Sequence, residues 1–188
     1  QQTLQRIMAD FIGEKRIPML IIDAPNVLRD RALFSARGAG ILGFSIFGSK
    51  RCYALKEDMS LDLETVEAFL EKAGDGPVLV FGFTYMVWKY FYEPLKRSGH
   101  RLHLEHGFLI HGGGWKKLAD QQISTERFKR ELRETCGLTR VHNYYGMVEQ
   151  TGTIYMECEH GHLHAPVWSD VTIRRAGDFS VADVGETG

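Results

Sequence analysis

The sequence predicts an α/β fold: a mostly parallel sheet flanked by helices, closing in a run of short β-strands. Three observations predict it. Short apolar runs alternate with segments of helical periodicity up to about residue 150, the pattern of a parallel sheet covered by helices. Glycine-rich turns, at Gly112–Gly114 and at Gly146, follow two of the apolar runs. After Gly152 the helical period disappears and β-like segments take over.

Each element has its own signal. Leu4, Ile7, Met8 and Phe11 share one face of a helix over Thr3–Ile12. PMLIID is a short apolar run after a proline and reads as a buried strand. FSARGAGILGFSIFGS carries repeated small-residue breaks and reads as a loop around a short strand or helical turn. RCYAL alternates as a strand does. Leu61–Ala73 reads as a helix with Ser60 as cap and Gly74 as stop. PVLVFGF is a continuous apolar run and a central strand; Tyr85–Arg97 is an aromatic-rich helix despite Pro94. HGFLIHGGG is a strand and glycine turn, Ser124–Cys136 a helix capped by Ser124 and ended by Gly137, and RVHNYYG a further strand. TIYMEC, HLHAPV and SDVTIRR form the β-like end. We divide the chain into an α/β lobe, 1–152, and a β-rich segment of the same fold, 153–188.

A chain of 188 residues makes one domain or two small lobes, and buries about 70% of its unfolded surface, enough for a core. With 44% hydrophobic and 25% charged residues and a net charge of −1, it lacks the basic surplus of a nucleic-acid or membrane-surface binder. No apolar run is long enough to cross a bilayer. QQTLQRIMADF is amphipathic and does not read as a signal peptide. Cys52, Cys136 and Cys158 lie far apart, which argues against a disulfide framework and for the cytoplasm. Both ends read as cut, as in a fragment of a longer protein.

Four motifs bear on chemistry. In FLIHGGGWKK, three glycines at a strand end let a ligand lie on the backbone, or simply form a tight turn. HGGG also occurs in the oxyanion loop of esterases, but the G-x-S-x-G elbow that reading requires is absent downstream. In YYGMVEQTG, a tyrosine beside a glycine suits a flat heterocycle, and Glu149 suits a hard cation such as Mg²⁺. In CEHGHLH, the alternating Cys158, His160, His162 and His164 lack the paired spacing of zinc ligands and read as a polar β-hairpin without zinc. SARGAG contains G-x-G without a dinucleotide fingerprint and reads as a structured loop; its Arg37 can meet an anion.

Taken together, GGG at one strand end, a helix, a strand running into YYGMVE, and hairpins ending in VGETG resemble the adenylate-forming enzymes. PMLIIDAPNVLRDRALFSARGAGILGF and YGMVEQTG…CEHGHLHAPVW are similar, more narrowly, to the LuxE family of acyl-protein synthetases. The resemblance implies a partial adenylate-forming N-terminal domain that uses ATP and Mg²⁺. A carboxylic acid, expected to be fatty, becomes acyl-AMP, and the acyl group passes to a protein thiol. It implies that Gly112, Gly113 and Gly114 line the adenine pocket, Tyr145 stacks, Gly146 is the motif glycine, and Glu149 is the catalytic Mg²⁺ ligand. Val148 stands where the superfamily has threonine, so Gln150 or Thr151 takes the phosphate contact; Trp115 stands near the usual proline. Phe81–Phe91 is the expected acyl-pocket wall. The phosphate loop, ribose aspartate, C-terminal lysine lobe and acyl-accepting cysteine have no match here. Two alternatives remain from the sequence: a phenylacetate-type acyl-CoA ligase, and a non-catalytic adenylation fold used for binding.

Overall fold

The computed structural model describes residues 2–29, 36–115, 123–146 and 153–186. Helix α1, Gln2–Ile12, leads into strand β1, Ile17–Ile21; helix α2, Ala36–Phe44, leads into β2, Gly48–Tyr53. Helix α3, Leu63–Ala73, precedes β3, Val78–Phe83. Next come α4, Thr84–Met86, a continuous π-helical segment, Val87–Tyr92, and α5, Glu93–Ser98. Strand β4, Gly107–Gly112, and β5, Arg140–Tyr145, flank α6, Thr125–Cys136. Strands β6, Tyr155–Glu157, and β7, Leu163–His164, follow.

The strands form one seven-stranded sheet in the order β2-β1-β3-β4-β5-β6-β7. β1 to β5 pair in parallel; β6 and β7 add antiparallel. The expected fold class is therefore observed: α/β, mostly parallel, with short strands at the end. β3 is buried along its whole length, as a central strand covered on both faces must be. On one face α1 and α2 pack: Phe11 meets Phe108 edge-on at 5.8 Å, and Phe44 stacks on Phe81 at 4.5 Å. On the other face Phe128 of α6 lies against His111 and, at 6.0 Å, against Trp88.

Three local expectations change. The glycine-rich 36–47 stretch is helical throughout, α2 followed by one turn of 3₁₀ helix, rather than a loop around a short strand or a single helical turn. Glycines in a helix each cost up to about 1 kcal/mol relative to alanine, but this helix buries Gly38, Ile41 and Phe44. A Cβ on Gly40 would lie 3.2 Å from the Phe83 ring, so the small residue permits close approach to the sheet. Second, α3 is capped by Asp62, whose side chain accepts the Thr65 N–H at 3.3 Å. Ser60 sits two residues earlier, its hydroxyl bonded to Asp58. Third, SDVTIRR forms no strand; its Arg174 makes one isolated bridge, to Val181.

Pro94 is accommodated as expected, and the π segment shows how. The Glu93 N–H reaches back five residues to the Trp88 carbonyl, a wider turn that precedes the proline's missing donor. The Ser124 cap and the left-handed Gly137 at the ends of α6 are as expected.

The cap assignment is testable. Asp62→Ala is expected to lower unfolding free energy by about 0.5–2 kcal/mol, measured by urea titration. Ser60→Ala should change it by less than about 0.5 kcal/mol, as an exposed substitution does.

Candidate active site

In an open parallel sheet, ligands bind beyond the carboxyl ends of the strands. β4 and β5 end side by side there. Gly112 pairs with Tyr144 in the parallel register, and Phe83 pairs with Gly112 from the other side. The glycine turn and the tyrosine motif are thus neighbours on one rim.

The three glycines differ in what their smallness does. A Cβ on Gly112 would lie no farther than 2.8 Å from three ring carbons of Tyr144. Gly112 is therefore filled by the neighbouring ring, and its carbonyl accepts the Thr84 hydroxyl at 3.1 Å. Gly113 has φ +72°, and a Cβ there would meet Phe83 at 2.9 Å. Only a glycine adopts that conformation cheaply. Gly114 has nothing within 4 Å of its Cβ position. Gly113 and Gly114 are exposed, so their backbone is the part of the turn a ligand can reach.

Alternation along β5 separates the two tyrosines. Tyr144 points into the core, 5.1 Å from Phe44, and burial pushes its hydroxyl up to about 12. Tyr145 is 50% exposed, with its ring 6.1 Å from that of Tyr155 on β6. A ring half in water at a strand end is suited to stacking. Gly146 follows, with Ile154 3.3 Å from its Cβ position. Glu149, Gln150 and Thr151, like Val148, lie outside the described residues. Trp115 is half-buried, edge-on to Trp88 at 5.8 Å.

Beneath the turn lies an aromatic layer of Trp88, Trp115 and Phe128. Of the proposed acyl-pocket wall, Phe81, Val87 and Phe91 are wholly buried core; Trp88 is the member that reaches this layer. His111 also faces it, 4.8 Å from Phe128. Burial, with Lys129 and His142 nearby, pushes the His111 pKa down to about 3, so the ring is neutral. The sequence motif contained His111 but offered no sign that its side chain would be buried.

A second feature sequence reasoning missed sits where the strand order reverses, between β1 and β3. The buried carboxylate of Asp23 accepts two hydrogen bonds from Arg37, at 2.9 and 3.0 Å, and one from the Ala24 N–H. Burial raises the Asp23 pKa against the pull of Ala24 and Arg37. The anion that Arg37 meets is thus internal. The only sequence signal was an aspartate closing the apolar run PMLIID.

Cys158 to Gly161 form the turn of a hairpin, closed by Cys158 N–H to the His162 carbonyl at 2.9 Å. Among the described residues no three His, Cys, Asp or Glu side chains come together to hold a metal. A separate apolar cavity of about 580 Å³ lies between α1 and β5–β6, lined by Phe11, Phe108, His142 and Met156, away from the glycine turn.

Comparison with known families decides the lineage. The family described as acyl-protein synthetase, LuxE, matches residues 1–188, the whole chain. The chain belongs to the LuxE acyl-protein synthetase family. No curated protein and no solved structure matches it. A LuxE protein activates an acid and transfers the acyl group to a protein. Among the described residues, no helix of this LuxE chain is long and apolar enough to cross a membrane.

The different duties of the glycines separate by stability. Gly112→Ala is expected to cost about 1–3 kcal/mol, as overpacking does, read by urea titration. Gly114→Ala should stay within about 0.5 kcal/mol.

Proposed function

We propose that this LuxE chain forms part of an adenylating site, in which a carboxylic acid is activated with ATP and the acyl group then passes to a protein thiol. The observation that carries the reading is the register that sets Gly112 beside Tyr144 at the ends of adjacent parallel strands. It brings the open backbone of Gly113 and Gly114 and the half-exposed Tyr145 ring to one rim. That combination fits a flat nucleobase: a ring to stack on and a backbone without side chains in the way.

In the proposed first step, a carboxylate oxygen attacks the α-phosphorus and the bond to the β-phosphate oxygen breaks. Pyrophosphate leaves and acyl-AMP remains. Two anions must approach each other, so the site's contribution is positioning and charge neutralisation. Mg²⁺, when bound, would supply positive charge that offsets the repulsion of the two anions. Glu149 is the residue proposed to hold it, with Gln150 or Thr151 contacting phosphate; these roles rest on the YYGMVEQTG motif. In the second step a thiolate attacks the acyl carbonyl and AMP leaves. Burial pushes the Cys52 thiol up to about 11 and the Cys136 thiol up to about 12. Neither supplies a thiolate near neutral pH. Because the acyl-accepting cysteine of the family has no match in this sequence, Cys158 included, the acceptor is proposed to be a thiol of another protein segment. A fatty acid as substrate and a cytoplasmic setting are part of the same proposal.

Pyrophosphate exchange in the full-length protein tests this. Exchange should depend on an added carboxylic acid. Glu149→Gln keeps size but loses charge, so exchange should need a higher Mg²⁺ concentration, while stability changes by less than about 1 kcal/mol. Tyr145→Ala should instead raise the KM for ATP with little change in the Mg²⁺ profile. An unaltered Mg²⁺ profile for Glu149→Gln contradicts its role, and absence of acid-dependent exchange contradicts adenylation itself.

A further inference from the structure

His111 carries more information than its burial. Its Nδ1 lies 2.9 Å from the Thr84 hydroxyl oxygen. That hydroxyl has a single proton, and the Gly112 carbonyl 3.1 Å away can only accept, so both contacts are hydrogen bonds at once only when the proton goes to the carbonyl. Thr84 therefore accepts from His111, and the imidazole proton sits on Nδ1. Nε2 is left as a bare lone pair. It is buried and has no hydrogen-bond partner among the described residues. The ring is neutral, so Nε2 can only accept.

Buried polar atoms are almost always partnered, and an exception calls for a missing partner. What is missing here is a donor: an O–H or an N–H. The atom sits one residue before the glycine turn, in the layer formed by Trp88, Trp115 and Phe128. The rings of Trp88, Trp115 and Phe128 give this layer flat apolar faces, a setting for the carbon body of a ligand, while the Lys129 ammonium lies close enough to act on the His111 ring electrostatically.

We propose that His111 determines acyl specificity: its Nε2 accepts a hydrogen bond from a hydroxyl or N–H on the acid being activated. The enzyme then prefers acids bearing such a donor over their unsubstituted parents. This rests on the adenylation reading above. A site built to bond a substrate hydroxyl rejects the analogue lacking it, because its own buried atom is left unpaired. The same argument makes Thr84 a positioning residue, since its bond to Nδ1 sets the tautomer.

The test uses the full-length protein and positional series of hydroxyalkanoic and hydroxybenzoic acids, each beside its unsubstituted parent, in pyrophosphate exchange. At least one hydroxy acid should exceed its parent in kcat/KM by about tenfold or more. His111→Asn keeps a donor for Thr84 but removes the atom at the Nε2 position. It should lower kcat/KM for the preferred hydroxy acid about tenfold, carried by KM, and abolish the preference. His111→Gln, which returns a polar atom near that position, should restore part of it. Nitrogen-15 spectra of the wild type supply an independent reading: the Nε2 resonance should not titrate between pH 5 and 8, and should shift when the preferred acid is added. Equal use of every hydroxy acid and its parent, or an Nε2 resonance that does not move on acid binding, overturns the proposal while leaving adenylation standing. A lack of exchange with any acid overturns the adenylation reading and this one with it.

Discussion

The parallel register between β4 and β5 is the constraint on which the rest of the site depends. It is held where the Tyr144 ring lies over the Cα of Gly112, a contact no residue with a side chain at 112 would allow. Phe44 and Phe81 surround the same ring, so the register is locked by core packing. A shift of one residue would turn Tyr144 to the opposite face and break the contact. With the register fixed, alternation does the remaining work. Tyr144 goes inward, Tyr145 goes outward, and the open backbone of Gly113 and Gly114 arrives beside it.

Two charged clusters steady this rim from either side. Asp23 and Arg37 tie the end of β1 to α2 at the point where the strand order reverses. Lys129 of α6 meets the buried Glu157 at 3.0 Å, and Glu157 also accepts the Asn143 N–H at 2.8 Å. The second cluster holds β6 against β5, which keeps Tyr155 beside Tyr145. Buried pairs of this kind add little net stability compared with apolar packing, but removing one partner leaves a costly unpaired charge. Their value here is positional.

Much of this was legible in the sequence where a single local signal dominates. PVLVFGF reads as a central strand from its continuous apolar run after GDG, and Ser124 and Gly137 bracket α6 because their cap chemistry is local. Legibility failed where a distant contact decides. The glycines of α2 look like loop residues until Phe83 is seen packed against Gly40. Asp62 was passed over for Ser60, a difference set by where the first helical turn begins. Gly112, read as a pocket residue, owes its smallness to Tyr144, a partner 32 positions along the chain. The lone pair of His111 becomes visible only once Thr84 and Gly112 are in place. Glu149, Gln150 and Thr151 still rest on their motif.

The central claim is that the glycine turn and the tyrosine motif receive one nucleotide together. Hydrogen–deuterium exchange of the full-length protein, with and without saturating ATP and Mg²⁺, tests it most directly. The account predicts that the amides of Gly113–Trp115 and of Tyr145–Gly146 slow together, while those around the cavity beside α1 do not change. Slowing in one of the two turns without the other, or only at the cavity, would contradict it.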